Sequence, residues 1–150
     1  MRTSWLFLPL LLAAAPIHAQ AIHSTSDTKW GPPPPFLPSG AQASVVQGDP
    51  GTAGEYTIRL QMPDGYIIPP HYHPTDENVT VLSGTLMLGM GDEIDRRAAD
   101  RLTAGGFAVA KANAHHYAIA LGPTVVQVHG MGPFAITYIR AADDPRAPRP

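Results

Sequence analysis

Two histidines separated by one residue, His71 and His73, are followed by Glu77 four residues after the second. They sit in the run Gly65-Tyr66-Ile67-Ile68-Pro69-Pro70-His71-Tyr72-His73-Pro74-Thr75-Asp76-Glu77. On a β-strand, side chains two apart share a face, so both imidazoles can aim at one point. Pro74-Thr75-Asp76 is a turn signal that lets the chain double back and start the next strand with Glu77 facing the same point. Two imidazoles and a carboxylate suit a divalent transition metal. The chain contains no cysteine, which excludes thiolate ligation, a disulfide framework and a cysteine nucleophile.

A further ligand has to come from elsewhere. The stretch from Leu102 to Ala120 holds Gly105-Gly106, a short apolar run, Lys111-Ala112-Asn113-Ala114, and then His115-His116-Tyr117. Adjacent strand residues face opposite ways, so His115 and His116 compete for the role.

These two segments carry a family resemblance. Gly65, five residues, His71-x-His73, three residues, Glu77, six residues and Gly84 resemble the first cupin motif at every fixed position. The second segment is similar to the second cupin motif, in which the histidine counted from Gly105 is His116. Lys111 stands where the family usually has proline, Asn113 where it has glycine, and Ala120 where it often has asparagine. Asparagine tolerates the left-handed backbone that glycine would supply, so the turn can survive. The resemblance implies an all-β fold, the cupin-type double-stranded β-helix or jelly-roll barrel. It implies one divalent transition metal held by His71, His73, Glu77 and His116. Iron, manganese and nickel fit this donor set best, with zinc and copper also within its range. The family's enzymes include dioxygenases, oxalate-degrading enzymes, lyases and isomerases, and glutamate in this place can act as a general base, which makes Glu77 the candidate catalytic residue. A small-molecule substrate or ligand and a homodimer are the partners the family leads one to expect.

The elements that must position these residues follow from the rest of the chain. At 150 residues one domain is the default, with enough length to bury a core. The net charge of −2, with lysine and arginine scattered, gives no basic stripe for nucleic acid and no basic amphipathic helix for a membrane surface. Abundant glycine and proline with sparse charge fit an all-β chain with many turns.

Residues 1–21 read as a secretory signal peptide: Arg2, an apolar run from Leu6 to Ala15 too short to span a bilayer comfortably, and small residues at Ile17-His18-Ala19 or Ala19-Gln20-Ala21 for cleavage. The expected location is periplasmic or secreted, with no membrane association once the signal is cut. Residues 22–40 form a Pro-rich N-terminal arm, Trp30-Gly31-Pro32-Pro33-Pro34-Pro35-Phe36-Leu37-Pro38, expected to lie extended along the barrel. The cupin domain is expected over 41–140 and a disordered tail over 141–150.

Within the domain, strands are predicted at 41–47, 56–62, through the first motif, at 78–83 and 85–90, 107–110, 117–120, 124–129 and 134–139. The charge-dense stretch 91–104 reads as a loop with a helical turn. Strand parity places Ile67 on the ligand face with His71, Val79 and Val81 with Glu77, and Ala118 with His116, giving a largely apolar site wall. Tyr72 and Tyr117 should point away from the metal. His129 and Gln127 share one face of their strand, either inward beside the site or outward to solvent, and Arg59 is either a carboxylate anchor or a solvent-facing strand residue.

Overall fold

Two long strands carry the architecture. In this computed structural model, which describes residues 23–148, β4 (Glu77–Met90) and β7 (His116–Gly132) run antiparallel along nearly their whole length. Each bends midway and so contributes to two layers. The bend in β4 coincides with register shifts on either side of Ser83 and with Gly84 at φ +79°. Gly122 in β7 also has positive φ. Sequence reasoning divides each of these strands in two at those glycines, and the hydrogen bonding joins them.

One layer places β2 (Gly54–Met62) on the second half of β7, with β1 (Gln42–Gln47) outside β2 and β6 (Phe107–Ala110) on the first half of β4. The other layer places β3 (Ile67–Tyr72) on the first half of β7, with β8 (Thr137–Tyr138) beyond it and β5 (Asp100–Thr103) on the second half of β4. The inner faces meet in one core that includes Leu60, Val79, Val81 and Val126 from the first layer and Ile68, Leu86, Ala118 and Ala120 from the second. This is the double-stranded β-helix expected of the sequence. Among the described residues, no helix is long and apolar enough to cross a membrane.

The stretch 91–104 differs from expectation. It contains strand β5 and no helix; the turn ahead of β5 is closed by the Ala98 N–H to Asp95 carbonyl bond. The charged residues are exposed, but the loop is not free of the barrel. Buried Tyr117 donates its hydroxyl to the Asp95 carbonyl at 2.6 Å and accepts the Asp95 N–H at 3.0 Å. Tyr117, Ile119 and Met87 thereby form a second small core on the outer side of the barrel, with Ile67 and Ala99 packed on it.

The proline-rich arm is anchored at several points. Gly31 bridges Ala43, Leu37 is buried in the main core, and the hydroxyls of Tyr66 and Tyr138 donate to the carbonyls of Pro38 and Phe36. The strand expected over 134–139 shrinks to Thr137–Tyr138. In the tail, Ala141–Asp143 make a 3-10 turn and the Arg146 guanidinium bonds Asp144 and the Ile136 carbonyl, where the sequence suggested disorder. The signal-peptide reading of residues 1–21 lies outside the described residues.

Candidate metal centre

β3 and β7 are paired so that His71 stands directly opposite His116. His71 lies near the end of β3 and His116 at the start of β7, on the inner face of one layer. His73 follows just past β3, where Pro74 prevents the strand from continuing in register. Glu77 opens β4 in the other layer, opposite Ala110 and Gly130. The four side chains therefore converge where the two layers meet at one end of the barrel.

All four are buried; the relative exposures are 3% for His71, 3% for His73, 1% for His116 and 9% for Glu77. One potential ligand nitrogen from each histidine lies within 4.8 Å of the others. Two metal–nitrogen bonds of about 2.1 Å span up to about 4.2 Å, so small side-chain shifts bring all three onto one ion. Glu77 Oε2 lies 3.6 Å from His73 Nε2 and 3.5 Å from His116 Nε2.

The ring nitrogens are sorted by their partners. Nδ1 of His71 meets the Pro69 carbonyl at 2.6 Å, Nδ1 of His73 the Ala135 carbonyl at 2.7 Å, and Nδ1 of His116 the Ala114 carbonyl at 2.9 Å. A carbonyl only accepts, so each Nδ1 carries the proton and each neutral ring leaves its Nε2 lone pair pointing inward. The Nε2 atoms of His73 and His116 are buried with no hydrogen-bond partner. Buried polar atoms are rarely left so, and an imidazole whose far nitrogen is fixed by a carbonyl is the usual arrangement of a metal ligand. The residues fit a metal.

For three of the four the protonation fits as well. Burial pushes His71 down to about 3, helped by the neighbouring His116 and His73. Burial also lowers His73. At His116 burial acts downward, but the facing Glu77 carboxylate outweighs it and the net shift is upward. At Glu77 burial acts upward, and His116 and then His73 outweigh it, holding the carboxyl below its usual range. Neutral His71 and His73 and an ionised Glu77 are forms a divalent cation requires, whereas at His116, whose charged form Glu77 favours, the ion has to displace a proton.

Beside His71, Glu77 and His116 lies a cavity of about 30 Å³. The rest of its lining is aliphatic and includes Leu60, Met62, Ile68, Leu86 and Val126.

Residues 58–130 match the cupin domain family. The chain carries a cupin domain over these residues. Solved structures agree on the fold. KdgF from Halomonas sp. is 21% identical, covering 75% of this chain and 94% of its own, with a TM-score of 0.59. A candidate acetylacetone dioxygenase from Methylibium petroleiphilum PM1 is 18% identical over 91% of each chain, with a TM-score of 0.65. The polyketide cyclase RemF from Streptomyces resistomycificus is 15% identical, covering 85% of this chain and 90% of its own, also at 0.65. No curated protein matches the chain.

In this cupin the residues left open by the sequence fall on the outside. His115 points away from the site, stacks on Tyr72 at 5.2 Å and pairs with Asp92 through Nδ1 at 2.5 Å. His129 is exposed, because Val126 and Val128 take the inner face of β7. Gln127 and Arg59 are bonded to each other at 3.1 Å on the outer face, and Arg59 also reaches Thr28 at 2.9 Å. Ile67 is a correction. The register shift between Ile68 and His71 reverses the parity, so Ile68 lines the cavity and Ile67 packs against the outer core with Tyr117.

Three supporting groups surround the site, of which only the left-handed turn at Asn113 was legible in the sequence. Asp76 caps the turn before His116, accepting Ala112 N–H and Lys111 Nζ at 2.8 Å each. Asn113 occupies the left-handed region at φ 61° and donates its N–H to the His73 carbonyl. Lys111 thus binds Asp76 where the family has proline. The third group is the Phe134–Ala135 segment against His73, whose only sequence signal is an aromatic residue after Gly132-Pro133.

Proposed function

We propose that this cupin is a mononuclear metal-dependent enzyme of dioxygenase-like or lyase/isomerase-like type, acting on a small oxygen-rich or enolisable molecule in the periplasm or outside the cell. His71, His73, His116 and Glu77 hold one divalent transition metal, with iron, manganese or nickel preferred over zinc or copper. The observation that carries the reading is the pair of buried Nε2 atoms with no hydrogen-bond partner. Bound there, the ion would supply a Lewis acid for an oxygen donor of the substrate.

The protein's own contribution follows from the wall. Aliphatic side chains exclude water and keep the local dielectric low, which strengthens every charge interaction inside. Glu77 is the one carboxylate lining the cavity, which supports it as the group that accepts a proton from an acidic carbon of a small substrate. A cavity of about 30 Å³ is far below the 300 Å³ or more typical of drug-sized ligand sites, so the substrate is small or enters with side-chain movement. With Arg59 on the outer face, the lining holds no cation for a second carboxylate, which favours neutral or singly charged substrates over dicarboxylates. The neighbours named for a dioxygenase and a cyclase share the fold, and are consistent with small-molecule chemistry in this barrel.

The small cavity and the absence of a second acid or base from its lining also favour a second reading, a non-catalytic periplasmic metal or small-ligand binding protein. Water-proton relaxation of the manganese-loaded protein, with assays of small diketones and hydroxyketones under oxygen and without it, separates the two. An exchangeable water and repeated turnover support the enzyme. Saturated coordination with no exchangeable water sinks it.

A further inference from the structure

The three histidines are not held alike. His71 and His116 each bond through Nδ1 to a carbonyl two residues back in their own segment, Pro69 and Ala114. Those rings are positioned locally, as soon as β3 and β7 pair. His73 lies beyond the end of β3, and its Nδ1 bonds to the Ala135 carbonyl, 62 residues away. The face of its ring lies against Phe134, with centroids 4.9 Å apart and planes inclined by 34°. Phe134 in turn packs on Phe36 of the proline-rich arm at 5.5 Å and edge-on to Tyr56 at 5.6 Å. The arm is fixed there by the Tyr138 hydroxyl, which donates to the Phe36 carbonyl at 2.8 Å. Phe134 N–H donates to the Pro50 carbonyl at 2.7 Å.

We propose that Phe134 and Phe36 are positioning residues for His73, so that the N-terminal arm sets the affinity of the metal centre through a chain of aromatic contacts running Phe36, Phe134, His73. The inference rests on the metal-centre reading of the three histidines and adds a role for the arm that the site itself does not require. Phe134 blocks the rotation that would swing the His73 Nε2 atom out of the site. Phe36, with Tyr56, packs on Phe134 and restricts its rotamers. Outer-shell groups that orient ligands typically contribute about 10–100-fold in metal affinity.

The test is a titration of the full, metal-free chain with Co²⁺, followed by its visible spectrum, for wild type, Phe134→Ala, Phe134→Leu, Phe36→Ala and the outer-face control His129→Ala. Each phenylalanine variant is also made in a His73→Ala background. The expected result is that Phe134→Ala weakens Co²⁺ binding about tenfold or more. Phe36→Ala should weaken it less, Phe134→Leu should restore part of the loss, and His129→Ala should match wild type. In the His73→Ala background, Phe134→Ala should cost nothing further, which a general loss of stability would not reproduce. Equal affinities for wild type, Phe134→Ala and Phe36→Ala overturn the proposal, as does an equal loss with and without His73. If wild type binds no Co²⁺, the metal-centre reading falls, and the proposal is decided by hydrogen exchange at the His73 Nδ1 proton of the metal-free protein. Faster exchange in Phe134→Ala and Phe36→Ala, with His71 and His116 unchanged, supports positioning; unchanged exchange refutes it.

Discussion

His116 Nε2 faces Glu77 Oε2 at 3.5 Å across the junction of the two barrel layers, and that nitrogen has no hydrogen-bond partner. The carboxylate is what keeps His116 basic despite its burial. Glu77→Gln preserves the shape and removes the charge. In the metal-free variant, the proton affinity of His116 should fall below that of an ordinary histidine, because burial, the largest influence on it, is then opposed only by the Ala114 carbonyl. Metal affinity should fall with it. An NMR titration of His116 in both proteins checks the first point, and an unchanged midpoint would show that the carboxylate does not control this ring.

Acidification should destabilise the metal-free protein. The folded state holds His71 down to about 3, against 6.5 for the free side chain, so below pH 6.5 the unfolded chain takes up a proton that the fold refuses. His73, also lowered, acts in the same direction. Glu77 is lowered too, so the stability it contributes is present above its ordinary value of 4.5 and is lost as pH falls through its folded value. His116 opposes them. Its shift is upward, so its contribution is full below 6.5 and is lost as pH rises through its folded value. Three groups outweigh one, and the melting temperature in chelator should drop steadily from pH 6.5 towards pH 3. A flat or rising profile contradicts the assignment.

Gly84, at the bend of β4, has φ +79°, and an added Cβ would lie 2.4 Å from the Pro123 carbonyl oxygen and 2.6 Å from Thr124 Oγ1. Backbone strain and steric conflict act together there, and Gly84→Ala should cost about 2–4 kcal/mol. Gly65, which opens the same motif, has φ +74° but open space around the Cβ position. Gly65→Ala should cost only the conformational term, about 1–2 kcal/mol. Urea denaturation of the two variants checks the order; equal losses would mean that the close approach at the bend is not felt.

Leu86 is 2% exposed and lines the cavity beside the histidines. Leu86→Ala should destabilise the protein by about 2–5 kcal/mol and enlarge the cavity. In the Co²⁺ form, wild type should bind azide and exclude a bulky anion such as benzoate, and the variant should accept both. Binding of benzoate by wild type at the affinity of the variant would remove size exclusion from the account.

The sequence announces the cluster of His71, His73, His116 and Glu77 more clearly than the surroundings of that cluster. His71, His73 and Glu77 are legible because a strand's two-residue period and one turn suffice to bring them together, and His116 because a second motif fixes its register. Ile67 misled because the register shift after Ile68 breaks the parity on which the reading depended. Strand β5 was hidden in 91–104, where an edge strand with exposed charges lacks the apolar alternation that marks half-buried ones. The orientations of His129 and Arg59 required knowledge of which face of β2 and β7 turns inward, which neighbouring strands decide. The contact of Phe134 with His73 joins segments distant in sequence, and no local pattern encodes it.

The central claim is that three imidazoles share one ion, and the most direct measurement is a titration of the metal-free chain with Co²⁺ alongside His73→Ala and His116→Ala. The account predicts one ion per chain for the unaltered protein, and a loss in either variant exceeding the about 10–100-fold expected of an outer-shell group. Binding that is absent from the unaltered protein, or that survives both substitutions undiminished, would contradict it.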